Sequence, residues 1–167
     1  LGNRIRVIPG AASSDLERPD DADDRRARLG LPDRFMLSVE PLTAASGVGD
    51  LVTAVADGAL PDDVPLIIVG EGPLDLDSAI ADAGVSSDRL RVIPLLDRRD
   101  LATLYHDAAL LVAPTVVDGF GQSALEAMRA GTPVVHTDAE GLAETCLDAG
   151  VIVERSEPST FGHRLAE

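Results

Sequence analysis

Two acidic residues eight positions apart, Asp118 and Glu126, flank a glycine-containing loop and carry the clearest chemistry in this 167-residue sequence. Glycines let a chain turn sharply and approach a ligand closely. A helix that begins after such a loop presents unpaired N–H groups and the positive end of its dipole. The sequence therefore predicts a phosphate-binding loop that needs no lysine. Between an apolar, strand-like run and a helical pattern, this loop reads Gly119, Phe120, Gly121, Gln122 and Ser123.

The two carboxylates can serve the same ligand. Asp118 precedes the predicted helix and Glu126 lies about two turns along it, so both side chains could reach one cleft. A carboxylate accepts paired hydrogen bonds from the neighbouring hydroxyl groups of a ribose or a hexose. A turn aspartate beside an exposed helical glutamate explains the same spacing equally well, so the spacing alone leaves both interpretations open.

A second glycine turn, Val69–Pro73, follows another apolar run. It lacks the third glycine of a dinucleotide fingerprint, and no clear second strand ends in the acidic residue that such a site needs. A tight connection from strand to helix is therefore favoured over a nicotinamide-binding site. A third loop, Glu40–Gly47, is small and polar and contains no cation.

The charge balance of the chain narrows the choice of ligand. The formal net charge is −15, the isoelectric point is about 4.4, and all 14 basic residues are arginine. Such a chain repels nucleic acid and anionic membrane in bulk. An anionic ligand must therefore be held locally, by backbone N–H groups or by a few arginines. Three phenylalanines and one tyrosine are too few for a platform that stacks bases.

Metal binding, thiol chemistry and membrane insertion are not indicated by the sequence. His106, His136 and His163 are isolated, and no cluster has the spacing of a metal site. The single cysteine, Cys146, excludes an internal disulfide, fits a reducing compartment and is expected to be a buried apolar residue. Because no apolar run is long enough to span a membrane and no secretory leader is recognisable, we expect a cytoplasmic protein.

Short apolar runs alternate with helical patterns, which predicts an α/β fold: one domain over residues 1–167 with a doubly wound, Rossmann-like parallel sheet flanked by helices. Most runs lack polar alternation, as expected of strands covered on both faces. The predicted strands are Ile5–Pro9, Phe35–Val39, Leu66–Val69, Leu90–Ile93, Leu110–Ala113, Pro133–His136 and Val151–Val153. The predicted helices are Gly49–Ala56, Leu74–Ala83, Asp100–Ala108 and Ser123–Ala130.

The segment Ala11–Asp24 differs from the rest because six of its residues are acidic. This composition predicts an exposed, solvated loop that leads into a short helix ending near Gly30. An acidic interaction segment is the less favoured alternative.

The order of these motifs resembles the C-terminal, nucleotide-sugar-binding domain of a GT-B glycosyltransferase, in particular the large retaining family 4, also called glycosyl transferases group 1. The strongest stretch, Asp118 to Val135, is similar to that family's E-x7-E region followed by its "LEAMAxGTPVV" segment. The resemblance covers nearly the whole chain. Weaker matches, in the family's order, are Val7–Pro9, Leu29–Pro32, Ile68–Pro73, Arg91–Ile93, Leu104–Ala108, the Glu140–Glu144 turn and Asp148–Gly150.

The resemblance implies a role for each matching position. The loop Gly119–Gly121 and the helix start at Gln122 and Ser123 would cradle the donor diphosphate. Asp118 would lie near the transferred sugar as the catalytic candidate, and Glu126 would hold the ribose hydroxyls. Contacts to the base would come from the backbone around Arg91, Ile93 and Pro94, and the cleft floor from Glu71 and Gly72.

The resemblance also implies a two-domain enzyme. Its donor would be a nucleotide diphosphate sugar, its reaction a retaining transfer to an unknown acceptor, and no metal or other cofactor would be needed. The acceptor site would lie largely on an N-terminal domain outside this chain, through which a peripheral membrane acceptor could be reached. We therefore expect no sugar transfer by this chain alone.

Two positions depart from the family pattern. The leading glutamate of the E-x7-E region is here Asp118, which is one methylene shorter. The arginine and lysine that the family places after the second strand fall on Pro41 and Ser46. Because those cations stabilise the leaving diphosphate, their loss should cost several kcal/mol of barrier unless Arg98, Arg99 or the other domain compensates. A degenerate, non-catalytic structural or interaction module is therefore the alternative.

Overall fold

Within residues 11–13, 15–115 and 120–153, which the computed structural model describes, six short strands pair in parallel to form one sheet. The strand order is β3-β2-β1-β4-β5-β6, the arrangement of a Rossmann-like, doubly wound fold. This order confirms the predicted fold class. The strands are β1 (Met36–Val39), β2 (Leu66–Val69), β3 (Leu90–Ile93), β4 (Leu110–Ala113), β5 (Val134–Thr137) and β6 (Val151–Val153).

Helices cover both faces of the sheet, and the side chains of each strand alternate between two cores. In β2, Ile67 and Val69 pack into one core with helix α4 (Arg98–Asp107), whereas Leu66 and Ile68 pack into the other with helix α2 (Val48–Ala56). No helix in the described ranges is long and apolar enough to cross a membrane. The helices are α1 (Ala22–Leu29), α2 (Val48–Ala56), α3 (Leu76–Asp82), α4 (Arg98–Asp107), α5 (Gln122–Ala130) and α6 (Glu140–Cys146), with 3-10 turns at Ala44–Ser46 and Leu147–Ala149.

The predicted elements agree with the observed ones to within two residues at each boundary, wherever the structure describes them. The predicted strand Ile5–Pro9 lies outside the described residues. The segment Glu140–Glu144 was expected to be a turn but belongs to helix α6, which buries Leu142 in the core beside α5. A short motif match gives no information about such packing, which explains the error.

The acidic segment before α1 makes contacts with the core that a solvated loop would not make. Leu16 is buried in the core, and its carbonyl accepts a hydrogen bond from the ring of His106 at 2.9 Å. Helix α1 already begins at Ala22, which is fully buried. The prediction of an exposed loop is therefore wrong for these positions, because an apolar residue among the acids anchors the segment to α4.

Ion pairs join α1 and the residues just before it to α4, whose aspartates accept from arginines. The Asp100 carboxylate is buried and its Oδ1 accepts hydrogen bonds from Arg25 and Arg28, each at 2.6 Å. At the other end of α4, Asp107 accepts from Arg18 and Arg26, each at 3.3 Å. Buried charges are tolerated only when they are paired in this way, so these arginines are required where the aspartates are buried.

We expect Asp100→Asn to lower the free energy of unfolding by about 1–3 kcal/mol, because it removes the charge that two arginines solvate. Asp24→Asn, at an exposed position of the same helix pair, should change it by less than about 0.5 kcal/mol. Urea denaturation of both variants measures the difference. Equal stability of the two variants would show that the ion pairs do not hold α1 against α4.

Candidate functional site

A cleft of about 450 Å³ opens at the carboxyl ends of β1 and β4. These neighbouring strands continue to helices on opposite faces of the sheet, α2 after β1 and α5 after β4. Ligands of doubly wound sheets bind at such a switch point. The residues that line the cleft are Val39, Glu40, Pro41, Thr43, Ala45, Ser46, Arg98, Tyr105, Thr115, Phe120, Gly121, Gln122, Ser123, Glu126 and Leu142.

The beginning of α5 forms one wall of this cleft. Gly121 precedes the helix with a φ of 70°, and a Cβ at this position would lie 2.7 Å from the Leu142 side chain. Only glycine fits both the backbone conformation and the available space. Because the first N–H groups of a helix have no partner within the helix, Gln122 and Ser123 can offer theirs to an anion in the cleft. Asp118 and Gly119 lie outside the described residues.

Glu126 is buried in the same wall, one turn beyond Gln122. Its Oε1 accepts a hydrogen bond from the Arg98 guanidinium at 3.2 Å and another from the Gln122 amide at 3.1 Å. Both bonds reach the same oxygen, so Oε2 is free of contacts with these two side chains. A carboxylate fixed in this way is preorganised to accept hydrogen bonds from a ligand hydroxyl.

Tyr105 lies at the base of the cleft, on α4, with its side chain fully buried. Burial raises the pKa of its hydroxyl far above the usual range, and the neighbouring carboxylates of Glu126 and Glu40 raise it further. Within the described part of the chain, no group makes a hydrogen bond of regular geometry with this hydroxyl. The Tyr105 hydroxyl therefore stays protonated and faces the carboxylate of Glu126.

Glu40 begins the loop Glu40–Gly47 noted in the sequence, but no role in a site was predicted for it there. It follows β1 directly, and its Oε1 accepts a hydrogen bond from the Thr115 hydroxyl at 3.0 Å. Burial raises the pKa of the Glu40 carboxyl to about 7, against the opposing effect of the Thr115 hydrogen bond. An acidic residue immediately after a buried strand, at the end of the sheet where ligands bind, was the sequence signal that could have found it.

Positive charge is scarce in the cleft. Arg98 is the one cationic side chain among the lining residues that the structure describes, whereas Arg99 pairs with Asp21 at 2.9 Å. Pro41 and Ser46 both line the cleft, and the Ser46 hydroxyl donates to the carbonyl of Thr43 at 2.8 Å. The positions at which the resemblance expects an arginine and a lysine therefore contribute no charge to it.

The remaining predicted site residues do not line this cleft; they are Glu71, Gly72, Arg91, Ile93 and Pro94. Glu71 is exposed beyond the end of β2. The Arg91 guanidinium donates to the carbonyls of Leu29 and Gly30 at 2.9 and 3.1 Å, which ties β3 to the end of α1. Ile93 and Pro94 lie at the carboxyl end of β3, two strands from β1.

The glycines after β2 are explained by packing. A Cβ on Gly70 would lie 2.0 Å from the Glu40 carbonyl oxygen, and one on Gly72 would lie 2.2 Å from that of Leu42. The loop after β2 therefore approaches the loop after β1 so closely that only glycine fits. Through this contact Gly70 fixes the backbone of Glu40, although it does not line the cleft itself.

The single cysteine lies outside the cleft lining. Cys146 is buried at the end of α6, and burial raises the pKa of its thiol above the usual value. A protonated, enclosed thiol is unreactive, so the predicted role of Cys146 as a small apolar residue is confirmed.

A family model and curated relatives match this chain over most of its length. Residues 36–167 match the model of a family described as glycosyl transferases group 1. The D-inositol 3-phosphate glycosyltransferase of Xylanimonas cellulosilytica is 33% identical in an alignment of 170 positions, which covers 93% of this chain and 40% of that protein. That of Salinispora tropica is 33% identical in an alignment of 187 positions, which covers 97% of this chain and 38% of that protein. The chain thus spans about two fifths of these relatives.

Solved structures of GT-B glycosyltransferases have the same fold. WaaG, a glycosyltransferase involved in lipopolysaccharide biosynthesis, matches 98% of this chain with a TM-score of 0.80, 23% identity and 47% of its own chain. Anabaena Alr3699/HepE in complex with UDP and glucose matches 96% with a TM-score of 0.79, 23% identity and 46% of its chain. The C-terminal domain of LpcC, a glycosyl transferase group 1 family protein from Francisella tularensis, matches 93% of this chain with a TM-score of 0.74, 19% identity and 86% of its chain.

We expect Gly70→Ala to lower the free energy of unfolding by roughly 1–3 kcal/mol, because the added methyl group collides with backbone. The matched control is Gly49→Ala in α2, where a Cβ meets nothing within 4 Å. Since glycine is unfavourable inside a helix, this control should gain about 0.5–1 kcal/mol. Urea denaturation compares the two, and a Gly70→Ala variant as stable as the wild type would contradict the packing explanation.

Proposed function

Because the chain belongs to the glycosyl transferases group 1 family, we propose that it is the donor-binding portion of a retaining, metal-independent glycosyltransferase. The donor is a nucleotide diphosphate sugar. The observation that carries this proposal is the cleft at the switch point, where the start of α5 and the buried carboxylate of Glu126 face the same space. These two features match the two halves of such a ligand, an anionic diphosphate and a ribose diol.

The start of α5 suits the diphosphate. The helix has nine residues, so its dipole is well developed, and no acidic residue lies in its first turn. Backbone N–H groups of Gln122 and Ser123 can hydrogen bond to phosphate oxygens without any lysine. Local binding of this kind is required in a chain with a net charge of −15.

Glu126 suits the ribose. Arg98 and Gln122 hold its carboxylate through one oxygen, and two vicinal hydroxyls can donate to a carboxylate in a bidentate arrangement. By its match to the family motif, Asp118 is proposed to lie near the transferred sugar as the catalytic residue. Transfer breaks the bond between the anomeric carbon and the diphosphate oxygen, and the negative charge then develops next to α5.

The acceptor site is proposed to lie on a second, N-terminal domain of the whole protein, so this chain alone should bind donor without transferring sugar. Curated relatives are named D-inositol 3-phosphate glycosyltransferases, which makes an inositol phosphate the first acceptor to try with the whole protein. An acceptor at a membrane surface, and a cytoplasmic location, are further proposals from the resemblance.

One observation favours a second candidate, a degenerate, non-catalytic structural or interaction module. Pro41 and Ser46 line the cleft at the positions where the resemblance expects cations for the leaving group. Arg98, which could replace them, is engaged by Glu126. If Glu126→Ala leaves the cellular role of the whole protein intact, this second candidate is correct.

We expect titration calorimetry with UDP, GDP and ADP at millimolar concentration to detect binding of at least one by the 167-residue chain. Glu126→Ala should weaken that binding at least about ten-fold, because a hydrogen bond to a charged group contributes about 1.5–3 kcal/mol. The matched control is Glu17→Ala, at an exposed position outside the cleft lining.

Whichever nucleotide binds is then tested as its 2′,3′-dideoxy form. This comparison distinguishes the loss of a ribose contact from a general loss of affinity. The dideoxy change should weaken binding to the wild type and have almost no further effect on Glu126→Ala, because both changes remove the same contact. Additive losses would contradict the ribose assignment, and no heat with any nucleotide would contradict donor binding altogether.

A further inference from the structure

Glu40 has a fixed position in the cleft. Its backbone N–H donates to the Val69 carbonyl at 3.1 Å, and its Oε1 accepts from the Thr115 hydroxyl at 3.0 Å. Gly70 packs against its carbonyl oxygen with no room for a side chain. Glu40 is therefore held from both sides of β1, its backbone by the end of β2 and its carboxyl by Thr115 just after β4, at the switch point of the sheet.

No cation neutralises this carboxyl among the residues that the structure describes. Arg98, the cation of the cleft, forms an ion pair with Glu126 at 3.2 Å and none with Glu40. The other charged or titratable groups that face Glu40 are Tyr105 on α4 and Glu126 on α5, and Glu71 beyond β2 is exposed. An ionised Glu40 is thus an uncompensated, largely buried negative charge.

On the basis of the proposed function, we propose that Glu40 contacts the bound nucleotide sugar and takes up one proton when the diphosphate enters the cleft. An ionised carboxylate beside a diphosphate repels it, whereas a protonated carboxyl donates its O–H to a phosphate oxygen. The proton comes from solvent and stays on a Glu40 oxygen, and no bond of the ligand is made or broken. Glu40 thereby supplies a donor in a cleft that is poor in cations.

The free carboxyl is partly ionised near neutral pH, since burial raises its pKa to about 7. Below pH 7 the carboxyl already holds its proton, and binding needs none. Above pH 7 each binding event must first protonate Glu40, so affinity falls as pH rises, by about ten-fold between pH 6 and pH 8.

The test is titration calorimetry of the 167-residue chain with UDP-glucose, GDP-mannose and ADP-glucose, whose diphosphates do not titrate between pH 5 and 9. Measurements in two buffers of different ionisation enthalpy give the number of protons taken up. We expect about 0.9 proton per bound ligand at pH 8 and about 0.1 at pH 6.

Glu40→Gln keeps a hydrogen-bond donor but cannot titrate, so it should bind with no proton uptake and with equal affinity at both pH values. Glu17→Gln, an exposed matched control, should behave as the wild type. If Glu40→Gln does not fold, the proton uptake measured for the wild type alone decides whether the inference holds. Binding without proton uptake, or with proton release as expected for a carboxylate that accepts a sugar hydroxyl, overturns this inference only. No binding of any nucleotide sugar overturns the proposed function together with it.

Discussion

The site depends on one constraint: after β1 and after β4, the chain leaves the sheet toward opposite faces. Connections in a parallel sheet are right-handed, so a chain that winds outward in both directions from the centre must send neighbouring loops to opposite faces. Here that places the loop after β1 and the start of α5 on two sides of one cleft. The order of the strands thus creates the cleft, and the side chains that line it determine its chemistry.

The electrostatics of the cleft are unusual for an anion site. The chain is strongly acidic, and the arginines that pack α1 against α4 are occupied by buried aspartates. Among the described residues that line the cleft, Arg98 is the one cation, and it forms an ion pair with Glu126. If the proposed function is correct, attraction for a diphosphate comes mainly from the backbone N–H groups at the start of α5, with a protonated Glu40 as a neutral donor. Each of these is local, which is how an acidic protein can hold an anion without a basic surface.

Much of the fold could be predicted from the sequence because the strands are short apolar runs and the helices have amphipathic spacing. Continuous aliphatic runs such as Leu66–Val69 predict strands that are covered on both faces. The packing of Leu16 under α4 could not be predicted, since one apolar residue among acids has no periodicity. Helix α6 was also missed, because the motif match at Glu140–Glu144 predicted a turn there.

The candidate site was predicted in part for a similar reason. Gly121, Gln122, Ser123 and Glu126 lie on one helix start, so their proximity follows from local spacing. Glu40, Tyr105 and Thr115 come from three distant segments and meet only through the order of the strands. The role of Gly70 likewise appears only when the loop after β1 is seen against it.

A crystal structure of this chain with a bound nucleoside diphosphate tests donor binding most directly. We expect the diphosphate within hydrogen-bond distance of the Gln122 and Ser123 backbone N–H groups, and the ribose hydroxyls on the Glu126 carboxylate. A nucleotide bound outside the cleft between β1 and β4, or one whose ribose faces away from Glu126, would contradict the proposed site.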